Sequence, residues 1–121
     1  EGLVFMKEIF VFGSNLAGRH GKGAALEAHK RHGAIYGQGV GLQGESYAIP
    51  TKDENLEVLG LWEIALFVAG FIRFASAHLD RQFNVTRLGC GLAGYKDEEI
   101  APLFTRAGAN VILPPGWREI K

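Results

Sequence analysis

Two glycine-rich runs hold the residues best suited to chemistry. The first is Gly13-Ser14-Asn15-Leu16-Ala17-Gly18-Arg19-His20-Gly21-Lys22-Gly23, and it leads into Ala24, where a helix is expected. A strand, a glycine loop and a helix start together present free N–H groups and a positive helix end to an anion. Glycine lets the main chain come close to that anion, and phosphate is the usual one. Gly23, not Ser or Thr, follows Lys22, so this loop is not a P-loop. The second run is Leu88-Gly89-Cys90-Gly91-Leu92-Ala93-Gly94-Tyr95, which also passes from a strand end towards a helix start. It reads as a second phosphate cradle, with Tyr95 stacking on the ligand or closing over it. A tight turn accounts for one or two of its glycines and less well for three. Lys52, just after Pro50-Thr51, fits two roles equally by spacing: an exposed loop lysine, or an amine aimed into a strand-end crevice.

Other chemistry-bearing residues are weaker candidates. Cys90 has no adjacent base, and a lone cysteine is more often a small buried hydrophobe than a nucleophile. His20 lies inside the glycine loop and is the histidine placed to touch a ligand. His29 and His32 share a helix face but lack a third ligand, so a solvated face is expected and no metal site. His78 ends a long helix, where a cation is favourable anyway. Gly39-Val40-Gly41-Leu42-Gln43-Gly44 matches a dinucleotide fingerprint by letter, but a strand follows it instead of a helix. No cofactor is implied.

The elements that position these residues read as follows. Glu8–Phe12 is a β-branched and aromatic strand, and Gly13–Gly23 a loop. Ala24–His32 is a helix ended by Gly33, and Glu45–Ile49 a strand stopped by Pro50. Thr51–Asn55 is a polar loop. Gly60–Leu79 is a long helix with Leu61, Ile64, Ala65, Val68, Ile72, Ala75 and Leu79 on one face. Asn84–Leu88 is a strand, Gly89–Lys96 a loop, Asp97–Arg106 a helix and Asn110–Leu113 the last strand. Alternating strands and helices imply an α/β fold with a mainly parallel sheet. Ligands of such sheets sit at the carboxyl ends of the strands, where both glycine runs begin.

Length and composition bound the function. The 121 residues make one domain, with Glu1 to Phe5 read as a tag or extension ahead of Met6. Thirteen basic and thirteen acidic residues cancel, which excludes a strongly basic nucleic-acid binder but not a small local basic site. One cysteine excludes a disulfide framework, so a reducing cytoplasm is the expected compartment. Glu63 and Arg73 interrupt the apolar run Leu59–Ala77, which reads as a buried helix and not a membrane span. Glycine, at 17 residues, is about twice its average usage.

Three segments together resemble the macrodomain superfamily of ADP-ribose-binding modules. They are His20-Gly21-Lys22-Gly23-Ala24-Ala25-Leu26, Pro50-Thr51-Lys52 and Leu88-Gly89-Cys90-Gly91-Leu92-Ala93-Gly94. The branch they resemble holds terminal ADP-ribose protein glycohydrolase and the DNA ADP-ribosyl glycohydrolase antitoxins. The chain as a whole is similar to a small macro-like family associated with phage genomes. The resemblance implies a three-layer macrodomain-like α/β fold, its mixed and mainly parallel sheet flanked by helices. It implies Asn15 near the distal ribose and Gly21, Lys22, Gly23 and Ala24 along the diphosphate, with Gly13, Ser14 and His20 of the same loop as further candidate ligand contacts by position. Gly89, Cys90, Gly91, Leu92, Ala93, Gly94 and Tyr95 then close the opposite side. It implies Lys52 as catalytic, attacking or stabilising the anomeric carbon as the ADP-ribose bond breaks. Two departures stand out. Ala93 replaces the glycohydrolase aspartate, as a small residue does in the antitoxins. The family's early Gly-Asp-Ile segment, whose aspartate holds the adenine amine, has no counterpart unless Glu45 or Asp53 substitutes.

Three functions follow for testing. One is a hydrolase that removes ADP-ribose from a protein or nucleic acid through Lys52. Another is a non-catalytic module that binds or sequesters a nucleotide signal. The third is a partner-binding domain whose glycines are only structural.

Overall fold

The computed structural model describes residues 7–121; the expectation for Glu1 to Phe5 lies outside them. A five-stranded sheet forms the middle of a three-layer α/β fold. Its central strand β1 (Lys7–Asn15) pairs in parallel with β3 (Ser46–Lys52) and with β4 (Arg81–Val85). The short β2 (Gly41–Gln43) adds antiparallel to β3, and β5 (Val111–Ile112) adds parallel to β4.

Side-chain alternation decides which layer each residue serves. Ile9 and Val11 of β1, with Tyr47 and Ile49 of β3, face α2 (Leu61–Ser76), whose Ile64, Val68, Phe71 and Ala75 are buried. The short α3 (Asp97–Ile100) packs on the same face through Ile100, joined by Phe104 of the 3₁₀ turn Ala101–Phe104. Burying a side chain such as Phe71 or Ile64 contributes about 1.5–3 kcal/mol relative to exposure. The other face carries Phe12 and Ala48, against which α1 (Gly23–Arg31) lays Ala25 and Ala28.

The element boundaries differ from the sequence expectations in instructive ways. β1 runs on through Gly13, Ser14 and Asn15, so the first loop begins at Leu16. β3 continues through Pro50 to Lys52, because the ladder shifts register between Ser14 and Asn15. Such an irregularity accepts a residue without an N–H. Lys52 therefore sits on a paired strand, opposite Asn15, and not in a loop. β4 starts three residues earlier than expected, because Arg81 and Gln82 pair with Lys7 and Glu8 despite their polarity. It ends at Val85, where the Thr86 hydroxyl donates to the Val11 carbonyl (2.9 Å). α2 stops at Ser76, where the N–H groups of Ala77 and His78 turn back to the carbonyls of Phe74 and Ala75 (3.1 and 3.0 Å) and the Asn110 amide braces the turn from within 3.1–3.2 Å of the carbonyls of Ala75, His78 and Arg81. The expected helix Asp97–Arg106 narrows to a 3₁₀ turn at Ala101, since Pro102 supplies no N–H to an α-helical ladder. β2 was not expected. Among the described residues no helix is long and apolar enough to cross a membrane, and no cluster of His, Cys, Asp or Glu could hold a metal ion.

Candidate functional site

The carboxyl ends of β1 and β3, the start of α1 and the loop after β4 surround one cleft of about 590 Å³. That size suits a nucleotide-sized ligand. Gly13, Ser14 and Asn15 come from β1, and Thr51 and Lys52 from β3. Arg19, Gly21 and Lys22 come from the first loop, and Gly23, Ala24 and Ala25 from the opening turn of α1. The wall across from them runs from Thr86 to Gly89 and takes in Gly91, Leu92 and Ala93. The two glycine loops thus line the same opening.

Local chemistry explains how the walls are held. The Asn15 side chain accepts from the Arg19 N–H (2.9 Å) and donates to the Arg19 carbonyl (3.0 Å), folding the first loop back over β1. Ser14 donates to the carbonyl of Gly39, whose own missing side chain lets it lie against Asn15 and Leu16. A Cβ at Gly39 would come within 2.4 Å of the Asn15 carbonyl oxygen. In the run Gly39–Gly44, Gly39 thus packs on the first loop and Gly44 on Gly33, and none of the six residues lines the cleft. On the far wall, Gly89 has a φ of +80°, and a Cβ there would meet Ile100 at 2.9 Å, so α3 presses directly on the turn.

Gly21 and Gly91 behave differently. Both line the cleft, neither has a left-handed φ, and a Cβ on either would meet nothing within 4 Å. The fold does not require glycine at either place.

The cleft is electrostatically one-sided. Arg19, Lys22, Lys52 and Arg87 line it, and no Asp or Glu does, although the whole chain is neutral. Arg87 is bound to Asp97 by two hydrogen bonds of 3.0 and 3.2 Å. That pairing and the Trp117 indole, which donates to the same carboxylate, hold Asp97 below its usual pKa. The first turn of α1 contains no acidic residue, and Lys22 at its N-cap makes no side-chain cap bond. The opening N–H groups of the helix therefore have no side-chain acceptor of their own at the cleft.

Four expected ligand residues do not line the cleft. His20 turns inward: its ring is buried against Phe12, its Nε2 lies 3.2 Å from Gln43 Oε1, and its Nδ1 has no partner. Cys90 is partly buried beside Asp97, and desolvation followed by that carboxylate pushes its thiol up to about 11. Such a thiol is a poor nucleophile at neutral pH. Gly94 closes the turn by donating its N–H to the Gly91 carbonyl (3.0 Å). Tyr95 packs against the core and donates its hydroxyl to the Leu59 carbonyl (2.6 Å), so it braces the loop instead of capping a ligand. Glu45 and Asp53 do not line the cleft either. Asp53 accepts from the N–H groups of Asn55 and Glu57 (2.8 and 2.9 Å). His29 and His32 are held by the Ala34 carbonyl and by stacking on Phe10.

Sequence reasoning missed several lining residues. Arg87 and Thr86 lay inside an expected strand. Tyr36 and Leu56, exposed apolar side chains at the rim, gave only the weak signal of large hydrophobics in polar or glycine-rich stretches. A second cavity, of about 220 Å³, lies beside Phe104, Trp117 and Arg118. Its arginine is tied to the carbonyls of Ala107, Gly108 and Val111 at 2.7–2.9 Å, so that cation already has its partners.

No protein-family model and no curated protein matches the chain. Its fold is that of a solved protein. A crystal structure of a protein from Bacteroides thetaiotaomicron, from a structural-genomics consortium, is similar to it with a TM-score of 0.60 over 93% of this chain and 92% of that one. The two are 19% identical, so the likeness concerns architecture.

Proposed function

We propose that the cleft binds a nucleoside diphosphate sugar of the ADP-ribose type, its diphosphate lying between the two glycine loops as in the macrodomains that the sequence resembles. One observation carries this: in a chain of zero net charge, the lining of the cleft has no carboxylate and three cations, Arg19, Lys22 and Lys52, beside Arg87, whose charge is shared with Asp97. Free helix N–H groups beside those cations add donors for phosphate oxygens. Gly21 and Gly91, which the fold leaves free to be any residue, keep the facing loops bare enough for main-chain amides to reach a ligand.

The test uses those two glycines. Gly21→Ala and Gly91→Ala should leave stability unchanged or raise it by about 0.4–1 kcal/mol, since both backbones suit alanine. Both should weaken ADP-ribose binding. In a thermal-shift titration, wild-type protein at a hundredfold excess of ligand over Kd should gain about 2.7 kcal/mol. Unshifted melting at millimolar ADP-ribose would sink the proposal.

Hydrolysis through Lys52 is the catalytic form of this reading: its neutral amine attacks or stabilises the anomeric carbon as the bond to the modified protein or nucleic acid breaks, the departing group takes up a proton, and water then adds to that carbon to release ADP-ribose and restore the amine. A second reading, a module that only binds or sequesters its ligand, is favoured by the same lining. Apart from the cations, Tyr36 is its one titratable side chain, and glycoside hydrolysis commonly uses a pair of carboxylates. Lys52→Ala separates the two: it abolishes ADP-ribose release from a modified substrate in a hydrolase, whereas a pure binder releases none to begin with.

A further inference from the structure

The cleft has many groups for an anion and few for the edge of a base. Ser14, Thr51 and Thr86 already donate their hydroxyls to the carbonyls of Gly39, Ser14 and Val11. The buried Asn15 engages both ends of its amide with the main chain of Arg19. No Asp, Glu, Gln or His lines the cleft, and Glu45 and Asp53 stay outside it.

The rim, by contrast, is apolar. Tyr36, Leu56 and Leu92 line the opening and remain 58%, 47% and 74% exposed. Leu56 is the one non-glycine residue with a positive φ (+65°) among those described. A leucine is strained in that region, and such strain persists only where surrounding structure enforces it. Here Asp53 enforces it: its carboxylate accepts from Asn55 and Glu57, and its carbonyl accepts from the Leu56 N–H (3.1 Å). The turn thereby presents an aliphatic body at the mouth of the cleft, where glycine would be unstrained and asparagine less strained.

Resting on the diphosphate-sugar reading, we propose that this site is tolerant of the nucleobase. It selects its ligand by diphosphate and sugar, and it seats the base on the apolar rim of Tyr36, Leu56 and Leu92. A site built to hydrogen-bond a base edge rejects the wrong base by orders of magnitude, because its buried polar groups are left unpaired. Stacking and apolar contact discriminate little, because every base has a π-face.

The experiment measures Kd by calorimetry for ADP-ribose, GDP-ribose, CDP-ribose and UDP-ribose, which differ only in the base. The expected result is four affinities within tenfold of one another. Leu56→Gly, which relieves the strained φ, should weaken all four several-fold and in parallel while melting no lower than wild type. A preference above tenfold for one base overturns the inference and leaves the diphosphate-sugar reading standing. Unchanged affinities in both Leu56→Gly and Tyr36→Ala also overturn it, because the rim then seats nothing. Should none of the four bind, the diphosphate-sugar reading itself fails, and base tolerance falls with it.

Discussion

Gly89 and Gly91 stand two positions apart and answer to different constraints. Gly89 has a left-handed φ with Ile100 against it, whereas Gly91 has an ordinary backbone and open space. Gly89→Ala should therefore lower stability by roughly 1–3 kcal/mol in urea unfolding. Gly91→Ala should leave it in place and affect only the ligand. Cys90 lies between them with its thiol raised to about 11 by desolvation and by Asp97. Reactivity tracks the thiolate, so a raised value means less thiolate at any pH below it. Iodoacetamide should label Cys90 at pH 8 on the order of a hundredfold more slowly than a thiol of pKa near 8.5, with the rate climbing as pH approaches 11. At this scale the sequence was partly legible. It located the loops, but one letter stands for both a sterically required glycine and an optional one. Nor does the identity of His20, Cys90 or Tyr95 tell which way each side chain turns.

Elements were more legible where burial runs unbroken. The apolar pattern of β1 and of α2 predicted both, and the alternation of strands and helices predicted a mainly parallel sheet. Ends were harder, because distant residues set them. Pro50 suggests a stop, yet the irregular pairing at Ser14 and Asn15 carries β3 on to Lys52. Arg81 and Gln82 look like turn residues, yet they pair with the start of β1. The end of α2 is braced by Asn110, which is 35 positions from the Ala75 carbonyl that it binds. Asn110→Ala removes hydrogen bonds to carbonyls that keep backbone donors (His78 N–H to Ala75, Arg81 N–H to His78) and should cost about 0.5–1.5 kcal/mol in thermal or urea unfolding. Binding at the cleft should be unaffected, since Asn110 does not line it.

At the scale of the whole molecule, neutrality hides an uneven distribution of charge. Thirteen cations and thirteen anions say nothing of place, and the cleft draws four residues of one sign from three separate stretches of chain. Only the folded sheet brings Arg19, Lys52 and Arg87 to one opening, so composition could exclude a broadly basic surface but could not reveal this local one. The position of Lys52 has one more consequence. Its carbonyl accepts from the Leu16 N–H (3.0 Å), and its strand is laddered to the central β1 as far as Asn15. The floor of the cleft is thus continuous with the central strand pair of the sheet and should open only with it. An occupant meets a floor that is already shaped, and amide exchange at Asn15 and Lys52 should report opening together with the rest of the sheet.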